Sequence, residues 1–161
     1  MLSEKTLTEL KLYVKRSMTQ DLIYIKESAV YLETQIEEIK DYIEHHRKPT
    51  FQQKLFHFID QRGVSDSTVY NKAWLDRRHF SKIRSDPNYR ISKNNAIALA
   101  FALELSLSEA EELIEAAGYS LSDSTTMDLV VKFCFNNKIY DLHEVNQALD
   151  YLDEKPLTNH R

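Results

Sequence analysis

Between Ser3 and Arg47 the chain carries neither glycine nor proline, and apolar residues recur at Leu7, Leu10, Val14, Met18, Leu22, Ile25, Ala29, Leu32, Ile36, Ile39 and Ile43. From Met18 onward the steps alternate four and three residues, which is the heptad seam of a coiled coil, with one irregular step of four at Met18. Ser3 supplies an N-cap with Thr6 one turn on. A helix over these residues is about 65 Å long. One apolar stripe on one helix has nothing of its own to cover it, so the stripe needs a partner. Three covers suit it: the same helix of a second chain, a fold-back hairpin, or the rest of this chain. Homodimerisation through Leu22, Ile25, Ala29, Leu32, Ile36, Ile39 and Ile43 is the simplest.

The seam ends at Arg47-Lys48-Pro49-Thr50, because the residue before a proline is driven out of the helical region. The chain therefore divides into a dimerisation helix at 1–48 and a helical domain at 49–161. In the second part, apolar spacing and turn signals predict short helices at 51–62, 67–73, 77–85, 93–103, 108–117, 125–136 and 142–152. Gly63 and Gly118 suit helix C-termini, Asp76 an N-cap, and Ser106 or Leu107 the approach to Ser108-Glu109-Ala110-Glu111. No segment alternates apolar and polar residues as a half-buried strand does. The expected fold class is all-α.

Ile97, Leu99, Ala100, Leu103, Leu107, Leu113 and Ile114 read as core at helical spacing. Met127, Leu129, Val130, Phe133 and Cys134, with Val145, Ala148, Leu149 and Leu152, read as two further helices that cap that core or give a second packing surface. Cys134 is the only cysteine, which excludes an intrachain disulfide and a cysteine-based zinc site and leaves a buried apolar thiol as the expectation.

A net charge of −4 hides a segregation. Residues 51–95 hold nine Lys and Arg against four Asp and Glu, whereas residues 96–161 hold four against twelve. Salt screens charges beyond about 10 Å, so a local basic face can bind a polyanion on an acidic protein. No run approaches the ~20 apolar residues of a membrane span. Residues 1–20 carry Glu4, Glu9, Lys11, Lys15 and Arg16 where a signal peptide has an apolar core. The expected location is the cytoplasm, with no membrane contact.

Within the basic segment, VYNKAWLDRRHFSKIR at 69–84 spaces Val69, Ala73, Leu75, Phe80 and Ile83 as two short helices meeting at a turn around Trp74-Leu75, with Asp76 capping the second. Burial of that face leaves Arg77, Arg78, Lys82 and Arg84 outward. The pattern resembles the λ-repressor-like (Cro/C1, xenobiotic-response-element type) helix-turn-helix family. That family's motif leads with leucine and a small residue, then has a turn glycine, an aliphatic and a capping serine. Val69, Tyr70, Trp74, Leu75 and Asp76 hold those places, with Tyr70 and Trp74 as the departures. Residues 81–133 look like a bacterial variety of this domain found as a C-terminal module in firmicute proteins, and the similarity spans about Phe51 to Leu157.

The resemblance implies a recognition helix at 77–85 lying in the major groove. Arg77 and Arg78 would make bidentate hydrogen bonds to guanine edges, and Lys82 would meet a base or a phosphate. Ser65 or Ser67, near the start of the preceding helix, would hold phosphate, and Arg84, Tyr89, Arg90, Lys93 and Asn94 would line the DNA backbone. The expected function is a dimeric DNA-binding transcriptional regulator. A non-enzymatic adaptor or antitoxin-like subunit that docks a protein through the same domain is the alternative, and an RNA-binding or phage accessory protein is a third.

Catalytic chemistry finds little footing. His45-His46 sit at a helix end with no cysteine near, and His143-Glu144 lacks the second histidine of a zinc-protease box because position 147 is Gln. Two glycines make no phosphate-cradling loop, and no serine sits in a nucleophile elbow. No enzyme activity, cofactor or metal is expected.

Overall fold

A computed structural model of the chain describes residues 1–159. It is all-helical, with eight α-helices and no strand among the described residues. The chain consists of two compact units, one ending at Arg47 and one starting at Lys48.

The first unit is a single helix, α1, from Glu4 to His46. Ser3 caps it by accepting from the Thr6 backbone N–H, and Arg47 leaves it in an extended conformation just before Lys48-Pro49. Because α1 runs unbroken, a fold-back hairpin within the seam is excluded. None of its residues is buried. Leu22, Ile25, Leu32 and Ile39 are each 57–61% exposed.

The second unit contains α2 (Phe51–Arg62), α3 (Asp66–Lys72), α4 (Arg77–Ser85), α5 (Lys93–Ala102), α6 (Leu107–Ala116), α7 (Thr126–Asn136) and α8 (Leu142–Tyr151). Its axis is α5, in which every residue from Ala96 to Ala102 is buried. Small Ala96, Ala98 and Ala100 alternate with Ile97, Leu99 and Phe101, so neighbours approach from all sides, as an apolar-all-round helix requires. Helices α3 and α6 pack on α5, α2 on α6, and α8 on α7. Phe101 and Phe135 stack in parallel with ring centroids 4.0 Å apart, tying α7 to the axis. Capping boxes start α2 (Thr50 with Gln53) and α6 (Ser106 with Glu109).

The inner face of α7 differs from the expectation. Val130, Val131, Cys134 and Phe135 turn inward, while Leu129 and Phe133 are 46% and 60% exposed. The expected spacing runs one residue out of phase with the buried face. Cys134 is fully buried, and that burial pushes its thiol up, with the charge of Glu144 adding to the effect.

Most helix ends use the left-handed residue that normally favours glycine. Gly63 and Gly118 hold two such positions, but Trp74, Glu104, Lys138 and Asp153 hold four more, with φ between 51° and 58°. Behind three of these four comes an apolar residue whose N–H reaches back five residues into the helix: Leu75 to the Tyr70 carbonyl, Leu105 to Ala100, and Ile139 to Cys134. Leu75 and Leu105 are buried. Burial of that apolar anchor offsets a strain of about 1 kcal/mol per non-glycine residue.

Among the described residues one ion pair has a buried carboxylate. Lys93 Nζ lies 2.7 Å from a carboxylate oxygen of Asp128, which is 2% exposed and also accepts from the Ser122 N–H at 2.8 Å. Burial alone would raise the Asp128 pKa. The hydrogen bonds from Lys93, Ser122 and Thr125, with the lysine charge, outweigh it and hold the carboxyl below its ordinary value.

Candidate functional site

The site expected from the sequence is the α3–turn–α4 pair, and its construction starts at the turn. Trp74 takes the left-handed conformation (φ 57°) that usually favours glycine. Its indole packs edge-on against His143 of α8, centroids 4.6 Å apart, which anchors a bulky side chain where glycine is usual. Asp76 then caps α4, accepting from the His79 N–H at 2.6 Å. Phe80 and Ile83 bury the inner face of α4, where Phe80 meets Phe56 edge-on and Tyr70 at an angle. Gln52 of α2 donates to the carbonyls of Ile83 and Arg84, at 3.1 and 2.6 Å, and so closes the C-terminal end. The helix is held at both ends and along one side.

At 100° per residue, burial of Phe80 and Ile83 puts Arg78, Ser81, Lys82 and Ser85 on the opposite, exposed side, with Arg77 in the first turn. Arg84 is turned away from this face. Its guanidinium forks onto Asp66 of α3, with bonds of 2.8 and 2.7 Å, and stacks over the Phe56 ring at 4.1 Å. Lys93 is occupied by Asp128, as described above. Lys54 pairs with Glu112 and Arg62 with Glu109, a short ladder between α2 and α6 that Lys48 and Glu115 extend. Of the nine cations in residues 51–95, the four at 54, 62, 84 and 93 are neutralised within the chain. Lys72, Arg77, Arg78, Lys82 and Arg90 have no ion pair among the described residues, and three of them sit on α4.

The other expected contacts distribute unevenly. Ser67 is exposed in the first turn of α3 and shares a hydrogen bond with the capping Ser65, beside the carboxylate of Asp66. Tyr89 is half-buried, with its hydroxyl 2.9 Å from His79 Nε2, while Arg90 is exposed and Asn94 half-buried at the start of α5. Gln52, Ser81 and Ser85 were not foreseen. For Ser81 and Ser85 the signal was present, since each lies one turn from an expected basic residue on the same face.

Among the described residues no three His, Cys, Asp or Glu side chains cluster as a metal site, and no helix is long and apolar enough to cross a membrane. Comparison with protein-family models, with curated proteins and with solved structures gives no match.

Proposed function

We propose that the chain is a cytoplasmic, non-enzymatic, homodimeric DNA-binding transcriptional regulator of the λ-repressor-like helix-turn-helix class, reading a major-groove site through α4. The observation that carries this is charge selection. Intramolecular carboxylates neutralise Lys54, Arg62, Arg84 and Lys93, while Arg77, Arg78 and Lys82 stand without an ion pair on the solvent side of a helix fixed at both ends.

In this reading Arg77 and Arg78 present forked donors to guanine O6 and N7, and Lys82, one turn on, meets a base or phosphate. Arg84 acts through its grip on Asp66, setting the angle between α3 and α4, and Arg90 supplies a backbone contact. The seam of α1 joins two copies. A second reading, a protein-docking adaptor or antitoxin-like subunit, draws on the exposed Leu129 and Phe133 of α7, Tyr151 of α8 and Leu152 just after it.

Selection from a random-sequence duplex pool separates the two. The regulator reading expects enrichment of a guanine-containing motif by the wild-type chain and loss of enrichment by the Arg77→Ala/Arg78→Ala variant. An unenriched pool at low salt removes DNA from the account and leaves the adaptor.

A further inference from the structure

The seam of α1 has an internal complementarity that specifies direction. Residues 4–20 carry Lys5, Lys11, Lys15 and Arg16 against Glu4 and Glu9, whereas residues 21–46 carry Lys26 and Lys40 against seven acidic residues. One end of the helix is basic and the other acidic. Side-by-side copies pointing the same way would place the acidic stretches together; copies pointing opposite ways place acid against base.

The core layers favour the same direction. With Leu22, Ala29, Ile36 and Ile43 at a positions, and Met18, Ile25, Leu32 and Ile39 at d positions, a parallel in-register pair faces Ala29 with Ala29 and leaves a gap between larger layers. It also puts Ile25 and Ile39 at d, where a two-stranded parallel coil favours leucine. Turned antiparallel, the seam pairs with itself as Met18 with Ile43, Leu22 with Ile39, Ile25 with Ile36, and Ala29 with Leu32. The small residue then faces a large one, and no layer is left short. Beside these layers Lys26 meets Glu33, twice by symmetry, and the Lys15-Arg16 end overlies the end that carries Asp41 and Glu44. A parallel pair offers Asp21 with Lys26 but sets the acidic ends side by side.

We infer that α1 docks against α1 of a second copy of this chain in antiparallel orientation, over about residues 15–46. This rests on the self-association in the reading above and deepens it. No seam residue is buried within the first unit, so α1 does not cover its own stripe. The two Lys48 positions then lie about 50 Å apart along the rod. Such a dimer tethers its two helical domains at widely spaced points, which suits well-separated DNA sites or two duplexes over adjacent half-sites of one palindrome.

Double electron–electron resonance on the full chain tests this, with a spin label at Thr19→Cys in a Cys134→Ala background and sedimentation run alongside. Antiparallel pairing places the two labels about 35 Å apart, and parallel pairing brings them within about 15 Å. The longer distance is expected. The shorter one overturns the orientation while leaving self-association standing; a monomer without dipolar coupling overturns both. A charge swap provides an independent check. Lys26→Glu should weaken the dimer about tenfold, and Lys26→Glu/Glu33→Lys should restore it. In a parallel coil the double variant still sets Asp21 against a carboxylate at position 26 and is not rescued, which would also overturn the orientation.

Discussion

Helices α1 and α5 draw on the same aliphatic side chains, yet Leu22 and Ile25 of α1 are 60% and 61% exposed while Ile97 and Leu99 of α5 are fully buried. The difference is one of neighbours. Short helices joined by tight turns wrap α5 from several sides, and its alternating alanines let them approach closely. A continuous 43-residue helix cannot fold back on itself to cover its apolar stripe, and in the proposed dimer a second copy covers it. Burial in α5 should therefore appear as intrinsic stability, and burial in α1 as stability that depends on concentration.

That contrast breaks first at its largest contributor. Phe101→Ala, which removes a fully buried ring stacked on Phe135, should cost about 4 kcal/mol in chemical unfolding at any protein concentration. Ile36→Ala should cost under about 0.5 kcal/mol in dilute protein and much more in concentrated protein. Equal, concentration-independent losses would show that α1 is buried within its own chain.

A smaller effect sharpens the picture of the second unit. Asp128→Asn leaves Lys93 without its carboxylate and should cost about 2 kcal/mol, less than a fully buried pair because Lys93 is 32% exposed. The Asp128 carboxyl titrates below its unfolded value, so its contribution is present above about pH 4 and is lost as pH falls through the folded value. Wild type should lose stability more steeply than Asp128→Asn as pH falls below about 4; parallel acid-unfolding curves would show that the ion pair contributes nothing. The smallest effect lies at the turns. Glu104→Gly should raise stability by about 0.5–1 kcal/mol by relieving a left-handed residue, and a lower melting temperature would contradict that conformation.

Much of this architecture was legible in the sequence because its causes are local. Apolar spacing and capping residues placed α2 and α4 to the residue, and Ser3 and Asp76 cap where expected. The ends at Glu104, Lys138 and Asp153 were harder to read, since glycine is the usual sign and here the sign is the apolar residue after the turn, as at Leu105 and Ile139. The candidate site was legible as a run of basic residues, but its composition was not. Arg84 and Lys93 are withdrawn by Asp66 and Asp128, 18 and 35 residues away in sequence, and such pairings exist only once the chain has folded.

The central claim, that the unpaired cations of α4 meet nucleic acid while the paired ones stabilise the fold, is tested most directly by the salt dependence of duplex binding measured by fluorescence anisotropy. Wild type should show a steep linear fall of log affinity with log salt, and Arg77→Ala/Arg78→Ala/Lys82→Ala a slope shallower by about 2–3. Arg62→Gln, which removes a cation held by Glu109, should leave the slope unchanged. A triple variant with the wild-type slope, or a wild type that binds no duplex at low salt, would contradict it.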